Sequence, residues 1–118
     1  MKREIKFYKT KDGKCPVKEF IDTQLGKIAQ KITWVLRLIE TQEKVPRTYF
    51  KNLSGTKIYE CRIEFGGNIY RILGQFYQGH FILLTNGFQK KTQKTPKNEI
   101  ELCNKRMADQ IERGVKYE

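Results

Sequence analysis

Histidine is nearly missing from this sequence: His80 stands alone among 118 residues. A catalytic zinc site or a serine- or cysteine-based triad would have to be built on that one residue. Its place in the turn-like tripeptide Gln78-Gly79-His80 makes a solvated loop histidine the expectation. Cysteine is scarce as well. Cys15, Cys61 and Cys103 are odd in number, far apart and free of any C-x-x-C pair. That pattern speaks against a disulfide framework and fits reduced thiols in the cytoplasm. Apolar runs are short, none approaching the roughly 18 residues of a membrane span. Met1-Lys2-Arg3-Glu4-Ile5 lacks the apolar core of a secretory signal. A soluble, unprocessed, cytoplasmic protein without metal or organic cofactor is expected.

Acid is the other shortage. The chain carries 24 Lys and Arg against 13 Asp and Glu, a net charge of +11. Between Glu43 and Glu60 lie Lys44, Arg47, Lys51 and Lys57 with no carboxylate, and between Glu64 and Glu99 lie Arg71, Lys90, Lys91, Lys94 and Lys97, again with none. Elsewhere 15 basic residues face 13 acidic ones, so these two stretches hold most of the excess. Segregated positive charge is the footprint of a polyanion partner, nucleic acid or the ribosome. A basic surface kept for solubility is the alternative, and it accounts less well for two long stretches without acid.

What is present is enough apolar residue, 38% with 12% aromatic, to bury one core, and the length fits one domain over residues 1–118. Glu4 to Tyr8 alternates as a short strand before a polar turn. Pro16 suits the first position of a helix, whose apolar face is Val17, Phe20, Ile21 and Leu25. After Gly26 a second helix carries the stripe Ile28, Ile32, Val35, Leu36 and Ile39, widened by Trp34 and Leu38. From Ile58 the period changes to two. Tyr59, Cys61, Ile63 and Phe65 share an apolar face, and Glu60, Arg62 and Glu64 a wet one. Gly66-Gly67 signals a hairpin into a strand from Asn68 to Tyr77, and Phe81 to Thr85, apolar on both faces, reads as an interior strand. Thr95 is placed to N-cap a last helix starting at Pro96, with stripe Ile100, Cys103, Met107 and Ile111 and an end at Gly114. The expected class is α+β: strand, helix, helix, three antiparallel strands, helix, with the first two helices as a helical hairpin on one face of a small, mainly antiparallel sheet and the helices grouped on that face.

Several segments then align with one family. Lys51-Asn-Leu-Ser-Gly55, Ile58-Tyr59-Glu60-Cys61-Arg62, Gly66-Gly67 and Tyr70-Arg71-Ile72 resemble the middle of the RelE/HigB superfamily of ribosome-associated toxins. The run from Leu83 to Pro96 resembles its phage-derived, HigB-like branch, with a G-F-x-K-K-T-x-K-T-P segment before the last helix. The resemblance spans roughly residues 4 to 112. It implies a RelE-like sheet backed by two helices, metal-independent cutting of mRNA in the ribosomal A site, and a cognate antitoxin, often a helix-turn-helix protein. The chain departs from the members that use active-site histidines, because His80 lies outside the matched segments. It is similar instead to members relying on Lys, Arg and Tyr.

Cutting RNA without metal requires an activated 2′-hydroxyl, a stabilised pentacoordinate phosphate and a proton for the departing 5′-oxygen. Cations meet the second need by preorganised electrostatics. Arg62 on the wet strand face, Lys90 and Lys91 after the interior strand, and Lys51 before the second strand are the candidate catalytic residues. Crowding among them lowers a lysine pKa toward acid–base use. Lys57, Arg71, Phe88, Lys94 and Lys97 are the candidate RNA-binding residues. Six of these have a plainer alternative. Arg62 pairs with Glu60 or Glu64; Arg71 is structural beside Ile69 and Leu73; Lys90, Lys91 and Lys94 only hold RNA; Phe88 anchors the loop on the last helix rather than stacking on a base. Tyr59 is expected in the core. Two whole-protein alternatives stay open, a module that binds ribosomal or phage nucleic acid without cutting it, and a phage interaction protein with an incidental basic surface.

Overall fold

The computed structural model describes residues 3–79, 81–92 and 94–114. His80, expected in a solvated turn, and Gln93 of the basic segment lie outside the described residues. The elements in order are β1 (Glu4–Phe7), α1 (Pro16–Asp22), α2 (Gly26–Thr41), β2 (Phe50–Asn52), β3 (Ile58–Phe65), β4 (Asn68–Tyr77), β5 (Phe81–Lys90) and α3 (Lys97–Arg113). They form an α+β fold with one five-stranded sheet in the order β1-β5-β4-β3-β2.

Two features correct the sequence expectation. The sheet is mixed: β3, β4 and β5 are antiparallel as expected, but β1 runs parallel to β5, Glu4 opposite Phe81 through Phe7 opposite Leu84. The crossover from β1 is long enough to allow this, since α1, α2 and the whole β2–β4 meander intervene. The helices also divide between the faces. α1 and α2 cover one side over Cys61, Ile63, Tyr70, Ile72, Ile82 and Leu84. α3 covers part of the other, where Cys103 and Met107 pack with Tyr8, Ile58, Leu73 and Leu83. Strands buried on both sides need apolar residues at successive positions, which is why Ile82, Leu83 and Leu84 are all fully buried.

Local chemistry explains most boundaries. Pro16 opens α1 as expected, its missing N–H being an orphan there anyway. Thr23, Gln24 and Leu25 separate α1 from α2, and Leu25, expected in the α1 stripe, is exposed at the α2 N-cap. The α2 stripe is buried as expected, but Trp34 stands out of it. At the other end of α2 the Arg3 guanidinium donates to the carbonyls of Ile39, Gln42 and Glu43 at 3.1, 2.8 and 3.0 Å, filling acceptors that a helix end leaves open. α3 begins one residue later than expected, with Pro96 at the N-cap and no side-chain cap; the Thr95 hydroxyl is engaged elsewhere. Its buried stripe is Cys103, Met107 and Gln110, while Ile111 is 64% exposed. Gly114 ends it at φ 62°, a left-handed turn that glycine takes without strain.

One irregularity sets the geometry of everything that follows. Leu73 pairs with Asn86 but Gly74 pairs with Leu84, so Thr85 is an extra residue in β5, a β-bulge. Side chains alternate along a strand, so one inserted residue exchanges the faces beyond it. Asn86, opposite Leu73, Phe88, opposite Arg71, and Lys90, opposite Ile69, therefore share the α3 side of the sheet. Gly87 turns to the other side, where a Cβ would come within 2.4 Å of the Phe20 ring. α3 holds the bulge: Arg106 Nη1 donates to Thr85 O at 2.7 Å, and Asn86 Nδ2 donates to Glu99 O and Oε1 at 3.2 and 3.0 Å.

Candidate nucleic-acid interface

α3 covers only part of its face of the sheet. Past it, β3 and β4 carry the row Glu60, Arg62 and Glu64 against Leu73, Arg71 and Ile69, and β2 places Lys51 in register with Glu60. β5 adds Lys90 because of the bulge. The result is an open groove of about 620 Å³ lined by Arg62, Glu64, Arg71, Lys90, Lys91 and neighbouring polar residues.

Glu60 is the centre of the cluster. The alternation in β3 marks it as wet, yet it is 1% exposed, which corrects that expectation. Arg62 Nε and Arg71 Nε lie 3.3 and 3.2 Å from its Oε1, and the Thr95 hydroxyl donates to its Oε2. Neither Nε–H meets hydrogen-bond geometry with an acceptor, so the two contacts are ion pairs held by charge. A carboxylate leaves water at a cost of several kcal/mol unless cations compensate it, and here two do. Thr95 also ties the loop after β5 to β3, which explains why it does not cap α3. Arg62 is fixed further by Nη1 donating to Arg47 O at 3.3 Å.

The same crowding acts on the groove's lysine. Burial holds the Lys90 ammonium below its ordinary pKa of 10.5; Glu60 pulls the other way, and Arg71, Arg62 and Lys51 add to the depression. The Arg71 guanidinium, 3% exposed, is likewise lowered, chiefly by burial, against the attraction of Glu60. A lysine that surrenders its proton more readily than usual is suited to proton transfer, and fixed arginines beside it suit a phosphate.

Of the sequence candidates, Arg62, Arg71, Lys90 and Lys91 line one groove, and Lys51 is one strand away on the same face. Arg71 is an ion-pair partner of Glu60, which fits the structural alternative, and it also forms a wall of the groove. Lys57 sits in the turn before β3 and lines a different depression with Asn52, Thr56 and Phe76. Lys94 is exposed on the segment leading into α3, and Lys97 is exposed at the first residue of that helix. Phe88 packs against the α3-side core, which favours its anchoring role. Tyr59, expected in the core, is partly buried and packs against its edge, stacked on Phe50 with ring centroids 5.0 Å apart. Sequence reasoning missed Glu60 and Thr95. A carboxylate flanked on alternate positions by arginines of two paired strands is the signal that points to such a cluster.

Among the described residues, no group of three or more His, Cys, Asp or Glu side chains lies together to hold a metal ion. Cys61 and Cys103 are buried and unpaired, and burial raises both thiol pKa values, away from reactivity. No helix among the described residues is long and apolar enough to cross a membrane.

The fold and groove define a small basic α+β domain with a cationic sheet face. The model of the family described as "Phage derived protein Gp49-like (DUF891)" matches residues 19–108, and the chain belongs to that family, one of the RelE/HigB-like toxins. Membership of a toxin-like family implies an antitoxin as partner. No match was found among curated proteins.

Proposed function

We propose that the chain is the toxin of a toxin–antitoxin pair and an endoribonuclease that cuts mRNA on the ribosome, of the HigB-like type. The observation that carries this reading is the meeting of Arg62, Arg71, Lys90 and Lys91 in one groove with Lys90 poised below its ordinary pKa. In the reaction, neutral Lys90 takes the proton of the 2′-hydroxyl as the 2′-oxygen attacks phosphorus. The bond to the 5′-oxygen breaks, leaving a 2′,3′-cyclic phosphate and a 5′-hydroxyl. Arg62 and Arg71 take up the added charge on the phosphate. An ammonium at the rim, Lys51 or Lys91, supplies the proton to the departing 5′-oxygen.

Glu60 is a positioning residue. It holds the two guanidinium groups in place and leaves the cluster predominantly positive. An antitoxin with an acidic segment fits this face by charge, which gives fast and tight association.

Inducing the protein in cells and mapping mRNA 5′ ends tests the reading. Codon-positioned cuts that vanish in Arg62→Ala support it. Cuts that persist in Arg62→Ala and Lys90→Ala overturn the residue assignment, and blocked translation without any cuts points to a binding module instead.

A further inference from the structure

The groove does not stop at Arg62. β2 pairs with β3 only as far as Cys61, and beyond that point the edge of β3 opens. There the Arg62 N–H donates to Tyr49 O at 2.8 Å, which seats Tyr49 directly beside Arg62. A second depression of about 350 Å³ follows, lined by Lys31, Thr48, Tyr49, Arg62 and Glu64. Arg62 and Glu64 thus belong to both hollows. Trp34, on α2, touches two of the lining residues: its ring meets Tyr49 edge-on at 5.5 Å, and Lys31 Nζ sits 5.0 Å from its centre.

Trp34 is 50% exposed. A half-exposed tryptophan contributes less to a core than a buried one would, and this one is braced by Tyr49 so that its ring is already oriented. Aromatic faces next to cations are how single-stranded nucleic acid is held without regard to sequence, the base on the ring and the phosphate on the cation. Neighbouring strands lie about 4.8 Å apart, so the step from Arg62 to Tyr49 is within the reach of one nucleotide.

Resting on the endoribonuclease reading, we propose that the nucleotide adjoining the phosphate at Arg62 enters this second depression and stacks its base on Trp34. Lys31 meets the next phosphate. Trp34 is then a substrate-positioning residue outside the cationic cluster.

Trp34 is the sole tryptophan of the chain, so its fluorescence reports directly on the subsite. The protein is titrated with a short 2′-O-methyl single-stranded RNA, which cannot be cut, and with an abasic strand of equal phosphate number, while labelled-strand anisotropy reports binding. The RNA quenches Trp34 on saturation, and the abasic strand binds without quenching. Trp34→Ala weakens RNA binding roughly five- to hundredfold, and Trp34→Phe restores most of the loss. RNA that binds with Trp34 fluorescence unchanged and with equal affinity for Trp34→Ala overturns the subsite alone and leaves the aromatic patch to a protein partner. Binding of neither strand overturns the subsite alone, and the nuclease reading is then decided by the mapped mRNA 5′ ends.

Discussion

At Glu60 a single carboxylate contacts Arg62, Arg71 and Thr95 at once, so one residue links β3, β4 and the loop after β5. Removing it leaves the Arg71 guanidinium buried without its counter-charge. Glu60→Ala is therefore expected to cost about 3–5 kcal/mol, read as a lower urea midpoint. Lys90 carries the pH dependence. Its folded pKa lies below 10.5, so the unfolded chain holds this proton more tightly and stability rises as pH climbs from the folded value toward 10.5. Activity follows the same group. The cleavage rate should rise with pH and level off below 10.5, and the rise should disappear in Lys90→Ala. A plateau reached only above that value would remove Lys90 as the base. Arg62 and the lysines were legible because charge and strand alternation are local properties. Glu60 was not, because alternation assigns a face but not how deeply that face is covered.

The elements show the same division. The β3–β4 hairpin and the α2 stripe could be read directly, since Gly66-Gly67 and the helical period are short-range signals. The direction of β1 could not, because its partner lies across most of the chain and alternation is identical for parallel and antiparallel neighbours. The bulge was hidden for a different reason: Phe81 to Leu84, the run that leads into it, is apolar at every position, so no change of parity shows in the pattern. Yet the bulge decides that Lys90 rather than Gln89 faces Arg62 and Arg71. Inserting one alanine between Phe88 and Gln89 should turn Lys90 off that face and abolish cleavage while the sheet still forms, which circular dichroism and an activity assay distinguish. Opposite the bulge, a Cβ on Gly74 would stand 2.4 Å from Leu83 O. That atom is backbone and cannot step aside, so Gly74→Ala should cost about 1–3 kcal/mol, seen as a lowered melting temperature.

For the whole molecule, part of the +11 charge gathers on the sheet face beside α3, and the protein's meeting with RNA should depend on salt accordingly. Each phosphate neutralised on a single strand contributes a slope of about −0.7 in log K against log salt. Lys91→Ala should flatten the slope by about that amount, measured with a non-cleavable RNA. A slope that does not change would place Lys91 outside the contact. Cleavage itself is most directly tested by single-turnover assays of purified protein on ribosomes with mRNA in the A site, comparing Lys90→Ala with Lys11→Ala in the distant β1–α1 turn. A loss of about hundredfold or more in Lys90→Ala, with Lys11→Ala cutting at the original rate, is the expected result. Equal rates in the original chain and in Lys90→Ala would contradict a nuclease centred on this groove.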